Sequence, residues 1–366
     1  MKIVRLYGYL NDNLGDDLMF YVLLKRYPNV KFLYCDFWKA TTPFIKFKNF
    51  YTMDEFYNKY GTINHVFNII SLKKHKDIFI NKLKKKLENQ IIGSVNIGGS
   101  IYIESERNID KRMNYEITKL QKSPLFIIGS NFGPYKSEEF FNRFYSFFEH
   151  CSHVTFRDQS SYDLFSKLSN VNLASDVVLS EFPIPDRNGK YEDYVLISMV
   201  DIINKCSHRY KDDYFSFISD IIDECLCCKK VPCLVSFCDK EGDIDIINEF
   251  MKFIPLRMRN KIRIMNYSSN IEEFIILFRS CFAVLATRFH AMILALKFNK
   301  PCYSISYSTK INNYLDTYKL TNYCDLDKLC NHSAKKIFEN YLLKEHVDYR
   351  VNYRDPFYYF DMFLNN

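Results

Sequence analysis

The sequence predicts an α/β protein built as two doubly wound, Rossmann-like lobes facing a shared cleft. Three observations lead there. Short apolar runs rich in β-branched and aromatic residues alternate with longer segments of helical period, the pattern of parallel strands covered by helices. A proline-containing break interrupts both periods near the middle of the chain, and beyond it the same alternation starts again.

In the first half, Lys2 to Tyr7 reads as a strand, Leu18 to Arg26 as a helix and Val30 to Cys35 as a second strand. Further strands are expected at His65 to Ile70, Ser94 to Ile97, Leu125 to Ile128 and His153 to Phe156, each ending in a polar or glycine-bearing turn. Within Glu181 to Lys190, Pro183 and Pro185 fix φ and remove backbone donors, which marks a linker. The second series places strands at Tyr194 to Met199, Pro232 to Phe237, Lys261 to Asn266, Phe282 to Ala286 and Pro301 to Ser306. The expected division is therefore a lobe over 1–182, a second over 190–330, and a tail over 331–366. The tail contains a helical piece, Ala334 to Leu343, and an aromatic end, Tyr358-Tyr359-Phe360, which requires a surface to pack on.

Composition limits the function classes. With 366 residues, 48% of them hydrophobic, the chain can build two interiors. The net charge of +7 is small for this length, so it favours anionic partners only weakly and gives no indication of nucleic acid. Twelve irregularly spaced cysteines, with Lys2-Ile3-Val4-Arg5-Leu6-Tyr7 following Met1 in place of a leader, predict reduced thiols and a cytoplasmic protein. The most membrane-like stretch, Phe274 to Phe298, carries Arg279, Arg288 and His290, and reads as helix, strand and helix instead of one span.

Leu72 to Gln90 has lysines at 73, 74, 76, 82, 84, 85 and 86 and apolar Phe79, Leu83 and Leu87 in helical register. Such a basic amphipathic helix is ordinarily a solvated face; the alternative expectation is peripheral contact with an anionic membrane at its inner face. Cys225, Cys227, Cys228, Cys233 and Cys238 cluster without a paired Cys-x-x-Cys, and there is no His-Glu-x-x-His, so no metal is expected.

In open parallel sheets ligands bind beyond the strand C-termini, so the residues following strands carry the functional reading. After the first strand, Asn13 and Gly15 suit a tight turn and Asp16-Asp17 open a helix, as a capped helix start or as part of a site. Gly98-Gly99-Ser100 permits close backbone approach, yet matches neither a phosphate loop nor a dinucleotide fingerprint. Gly129 to Pro134, including Gly133, is a glycine-proline turn at another strand end. Arg157 at the end of Phe156 could fork a phosphate or carboxylate, or form a surface pair with Asp158.

The most informative stretch is Phe282 to Leu296: a buried strand, the turn Ala286-Thr287-Arg288-Phe289-His290, then an apolar helix. Arg288 and His290 stand where helix N–H groups and the dipole attract anions. A histidine there can also fill a core. The next strand delivers Ser306 and Lys310 to the same edge, completing a cationic pocket suited to a small phosphorylated acid.

Taken in order, Asn13-Leu14-Gly15-Asp16, Gly98-Gly99, Gly133-Pro134, Arg157-Asp158, Arg288-Phe289-His290 and Ser306-Tyr307 followed by Lys310 resemble the polysaccharide pyruvyl transferase family, up to about Leu320. Two departures stand out: the family's Gly-Gln-Gly reads Gly129-Ser130-Asn131, and its Pro-Asp-Pro reads Ser175-Asp176-Val177. The resemblance implies a fold like that of two-lobed nucleotide-sugar glycosyltransferases (GT-B-like), with the acceptor side and part of the donor site in the first lobe and the donor site in the second.

It also implies bacterial cell-surface polysaccharide biosynthesis, with phosphoenolpyruvate as co-substrate, no cofactor, and a glycan or lipid-linked oligosaccharide as acceptor. Arg157, His290 and Lys310 are implied as donor contacts, with Arg288 beside them. His290 is expected to protonate the donor methylene as general acid, because histidine titrates near neutral pH. Asp16 is expected to orient or deprotonate the acceptor, with Asn13, Gly15, Gly98, Gly99, Gly133 and Ser306 lining the substrates. Two rival readings remain open: a nucleotide-sugar glycosyltransferase of the same architecture, and a non-catalytic glycan-binding relative.

Overall fold

The structure is a computed structural model and describes residues 2–36, 42–53, 55, 89–105, 109–120, 123–186, 189–344 and 354–365. The chain divides into two compact units. One comprises Met1–Tyr9, Met19–Val177 and Arg354–Asn366; the other comprises Leu10–Leu18 and Val178–Tyr353. The short segment after the first strand thus belongs with the second unit, and the residues beyond 330 are shared between the two.

The first unit holds a seven-stranded parallel sheet of β1 (Ile3–Tyr7), β2 (Lys31–Tyr34), β3 (Phe50–Thr52), β4 (Ile91–Ile97), β5 (Leu125–Ser130), β6 (His153–Phe156) and β7 (Val171–Leu173). Its spatial order is β3-β2-β1-β4-β5-β6-β7. Its described helices include α1 (Leu14–Arg26, which starts in the second unit), α2 (Ile109–Leu120), α3 (Glu138–Glu149) and α4 (Gln159–Phe165). On α3, Phe140, Phe144, Phe147 and Phe148 recur at helical spacing and are buried with Tyr102, Phe156 and Phe165, so one apolar face fixes the helix on the sheet. Ser137 caps its first turn by accepting from the Phe140 N–H.

The second unit is a six-stranded parallel sheet in the order β10-β9-β8-β11-β12-β13. Its strands are β8 (Tyr194–Ser198), β9 (Val231–Ser236), β10 (Arg263–Asn266), β11 (Ala283–Ala286), β12 (Cys302–Ser306) and β13 (Tyr323–Asp325). The main helices are α5 (Lys211–Cys227), α6 (Asp243–Phe253), α7 (Ile271–Ser280), α8 (Phe289–Lys297) and α9 (Thr309–Thr317). β8, β9 and β11 are buried on both faces, which is why they read as continuous apolar runs without alternation.

Each sheet reverses its winding once, between β1 and β4 in the first and between β8 and β11 in the second. Those reversals open a crevice at the carboxyl ends of the flanking strands, the usual ligand position in open α/β sheets.

The fold class is the α/β, doubly wound, two-sheet class that the alternating pattern predicts. The described strands coincide with the expected ones to within a few residues, and the Phe274 to Phe298 stretch is α7, β11 and α8. β3, β7 and β13 were not expected; each has three residues and stands at or beside a sheet edge, too short to show a period. The strand expected at His65 to Ile70 and the basic helix expected over 72–90 lie outside the described residues. The expected Ala334 to Leu343 helix is one α-turn, Ala334–Ile337, continued as a π-helix over Phe338–Leu342.

The aromatic end forms α10 (Tyr358–Asn365) and belongs to the first unit. Phe360 and Phe363 meet Phe126 of β5 at ring-centroid distances of 5.4 and 4.9 Å. The Arg26 guanidinium donates to Asp355 at 2.7 Å and Asp361 at 2.6 Å, and the Tyr27 hydroxyl donates to the other Asp361 oxygen at 2.6 Å.

Candidate functional site

In the first unit the glycine turns and Arg157 gather at the carboxyl ends of neighbouring strands. Gly98 and Gly99 follow β4, Gly129 to Gly133 close β5, and Arg157 follows β6. The Arg157 side chain is 1% exposed. One amino group donates to Asp176 at 2.7 Å and the other to Asn131 at 2.8 Å. Gly99 lies so close to this guanidinium that a Cβ would overlap it. Ser130 donates to the Gly98 carbonyl at 2.7 Å and Ser100 to Asn131 at 3.0 Å. Gly133 has a φ of 89°, a conformation that glycine adopts without strain, and its bond to Pro134 is cis. Asn131 and Asp176, which stand in the two stretches that depart from the family pattern, are therefore the partners that hold Arg157. Asp158 caps α4, accepting from the Ser161 N–H and hydroxyl.

In the second unit the site is built on the winding reversal. Ser198 ends β8, and its hydroxyl accepts from the N–H groups of Thr287 and Arg288 at 3.0 and 3.1 Å, fixing the turn after β11. Tyr214 donates to the Thr287 hydroxyl at 3.0 Å from α5. Arg288 occupies the N-cap position of α8 in extended conformation, so the helix starts without a side-chain cap acceptor.

The Arg288 guanidinium turns away from that helix end. It forms a two-pronged pair with Asp243, with Nε at 2.9 Å from Oδ2, and donates to Glu241 at 2.6 Å. Asp243 also accepts from the backbone N–H groups of Phe237 and Cys238 at 2.9 and 3.1 Å. Burial raises the Asp243 pKa, opposed chiefly by Arg288, whereas the Glu241 pKa falls to about 2 because Arg288 and Lys205 outweigh its burial.

Glu241 extends this network to the segment after β1. It accepts from the Asn13 amide at 2.8 Å, while the Asn13 side-chain oxygen accepts from the Gly15 N–H at 2.9 Å. Leu14 donates to the Phe237 carbonyl at 3.0 Å, and Lys240 reaches Asn11 at 3.0 Å and Asp12 at 2.7 Å. The outcome is that Gly15 faces His290, and a Cβ at Gly15 would overlap Nδ1 of the imidazole. His290 is 9% exposed in the first turn of α8, with its ring centroid 5.1 Å from that of Phe289. The Lys310 ammonium lies 4.8 Å from the Phe289 ring centroid, and Ser306 is buried at the end of β12.

Asn13, Gly15, Arg288 and His290 are thus brought together, with Lys310 one aromatic ring away. Asp16 is half-buried in the first turn of α1. Asp17 does not act as the simple helix-dipole complement of the sequence reading. Its carboxyl is fully buried, accepts from the Tyr267 hydroxyl at 2.5 Å, and is pushed well above the usual carboxylate range by burial. Ser198, Glu241 and Asp243 were also missed; no local motif marks them, since each acts through residues distant in sequence.

A profile of the polysaccharide pyruvyl transferase family matches residues 13–309. The chain belongs to the polysaccharide pyruvyl transferase family. The match begins at Asn13, the residue that joins Glu241 to Gly15, and ends at Thr309, beside Lys310. Among solved structures, the chain is similar to UDP-GlcNAc 2-epimerase from Neisseria meningitidis bound to UDP-GlcNAc, at 11% identity over 100% of both chains with a TM-score of 0.58. It is likewise similar to the Methanocaldococcus jannaschii UDP-GlcNAc 2-epimerase in complex with UDP-GlcNAc and UDP, at 12% identity over 100% of this chain and 99% of that one, with a TM-score of 0.56. At such identities the likeness establishes the two-sheet, GT-B-like fold that this pyruvyl transferase family member shares with sugar-nucleotide enzymes.

Among the described residues no group of three or more His, Cys, Asp or Glu side chains is placed to hold a metal ion. Cys225, Cys233 and Cys238 are buried, with thiol pKa values raised by burial. No described helix is long and apolar enough to cross a membrane.

Proposed function

We propose that this family member transfers the pyruvyl unit of phosphoenolpyruvate onto two hydroxyls of a sugar, forming a ketal and releasing phosphate, in cell-surface polysaccharide synthesis. The observation that carries the reading is the seat of His290: an imidazole 9% exposed at the start of α8, held against Gly15 and one aromatic ring from Lys310.

The chemistry asks for these groups. Protonation at the C3 methylene converts it to a methyl group and makes C2 electrophilic, and His290 is the proton donor. One sugar hydroxyl adds to C2 and loses its proton; phosphate then departs with its bridging oxygen, and a second hydroxyl closes the ketal, losing its own proton. Lys310 and the N-terminal end of α8 receive the charge of the phosphate and carboxylate. Asp16, next to the glycine that faces His290, takes the acceptor proton. Arg157 and Arg288 contribute by fixing loops, because each guanidinium is already bound by carboxylates. No cofactor enters this scheme. The acceptor is a glycan or lipid-linked oligosaccharide, which the reading locates at the inner face of the membrane.

Phosphate release from phosphoenolpyruvate in the presence of an acceptor glycan tests the reading, with His290→Gln as the control. Turnover is expected in the native chain and to fall by about 10²–10⁴-fold in the variant. Phosphoenolpyruvate is expected to raise the melting temperature, and a UDP-sugar to leave it unchanged. Stabilisation by the UDP-sugar alone would favour chemistry on a sugar nucleotide, such as glycosyl transfer, instead.

A further inference from the structure

Beyond the end of α6 opposite Asp243, the connection between α6 and β10 has an unusual surface. Five of the twelve residues from 252 to 263 are Lys or Arg, and no acidic residue occurs from 250 to 271. Ile254, Met258 and Ile262 are buried and anchor the segment to the core of the second unit. Arg259 closes it, donating from Nε to the Ile254 carbonyl at 3.1 Å and from Nη2 to the Lys252 carbonyl at 2.9 Å. This staple folds the one-turn helix Leu256–Arg259 back against the end of α6.

What remains outside is apolar at its apex and cationic around it. Leu256 is 73% exposed and Phe253 49% exposed, and Lys252, Arg257, Lys261 and Arg263 are exposed beside them. Among the described residues none of these four cations is engaged by a carboxylate. Two have partial local explanations: Lys252 complements the C-terminal end of α6, and Arg263 protects an edge strand from pairing. Neither explains an exposed leucine at the apex of an acid-free segment.

We propose that the segment 252–263 is a docking surface for an anionic phospholipid bilayer, with Leu256 and Phe253 entering the headgroup boundary and the four cations facing lipid phosphates. Charge complementarity argues for the lipid, and the apolar apex favours a bilayer over a soluble polyanion, which would offer the leucine nothing to enter. The surface is independent of the chemistry at His290 and of residues 72–90.

The test is co-sedimentation of the full chain with vesicles of phosphatidylcholine alone or of phosphatidylcholine mixed with phosphatidylglycerol, whose negative surface potential attracts basic segments. Native protein is expected to bind only the anionic vesicles and to be released by high salt. Each cation is expected to contribute about fivefold, so replacing Lys252, Arg257, Lys261 and Arg263 by Gln lowers partitioning about 600-fold. Leu256→Ser is expected to lower it about tenfold, and Lys335→Gln with Lys336→Gln to leave it unchanged. Absence of native binding, or undiminished binding by the fourfold variant, overturns the proposal. Loss on charge removal with full binding by Leu256→Ser also overturns it, because the leucine then enters nothing. Unchanged melting temperatures show that the variants remain folded, and turnover on a water-soluble acceptor is expected to be unaffected.

Discussion

Gly15 lies against the imidazole of His290, leaving no room for a Cβ between them. The contact is made by two segments far apart in sequence and is held by Asn13, Glu241 and Arg288 acting in series. It yields the most direct prediction: Gly15→Ala displaces the imidazole. Overpacking of this kind costs about 1–3 kcal/mol of stability, while displacement of a proton donor by an ångström costs about 10²-fold in turnover. Denaturant titration and phosphate-release kinetics on one preparation measure both; unchanged turnover would show that the contact is merely packing.

Arg288 tests the role of the carboxylate network. Arg288→Met removes the partner of a fully buried Asp243 and is expected to destabilise the second unit by about 3–5 kcal/mol. Arg288→Met combined with Asp243→Leu should recover much of that loss, since no charge is then left buried alone. Urea melts of the two variants provide the comparison, and equal losses in both would contradict the pairing.

Asp17 predicts a pH dependence with a definite sign. Its folded pKa stands above the ordinary value of 3.8, so the folded state binds the proton more tightly than the unfolded state does. The corresponding stability is complete below pH 3.8 and disappears as pH rises through the folded value. Asp17→Asn, which keeps an oxygen for the Tyr267 hydroxyl, should flatten this decline and be more stable than the native chain at alkaline pH. Melting temperatures across the pH range would reveal it, and parallel curves would refute it.

Glu241 should act in the opposite direction. Its pKa lies near 2, below the ordinary 4.5, so its contribution is present above 4.5 and is lost as pH falls toward 2. In Glu241→Gln that acid-side loss should be reduced, and the Asn13 turn should loosen. A drop in turnover at neutral pH larger than the drop in stability would mark Glu241 as a positioning residue.

Lys310 carries the donor-charge assignment. Lys310→Gln is expected to weaken phosphoenolpyruvate binding by about tenfold or more, as loss of a charge-assisted contact does, with little change in melting temperature. Calorimetric titration decides between this and a role limited to covering the Phe289 ring.

Much of the fold was legible because several central strands are apolar on both faces and most helices are not, so the two periods separate cleanly in β5, β8, β9 and β11. The three-residue strands β3, β7 and β13 carry no period to read. The glycines and the Arg-Phe-His turn were legible as residue types at strand ends. Their partners were not. Asp243 lies 45 residues from Arg288, and Tyr267 lies 250 residues from Asp17. Nothing local shows that the arginine's charge is neutralised or that the aspartate faces inward, because both follow from which strands become neighbours. The same holds for Arg157, whose partner Asp176 is buried at the far side of β7 in sequence.

The return of α10 to the first unit has a consequence for biosynthesis. Phe126 and Arg26 wait for Phe360, Phe363, Asp355 and Asp361, which are made after every residue of the second unit. During vectorial synthesis the second unit has all its residues once Tyr353 has emerged, while the first still lacks its final helix. The unit whose first strand is made before any of the second is therefore completed after it, and its aromatic face stays open until residues 355–363 have been made.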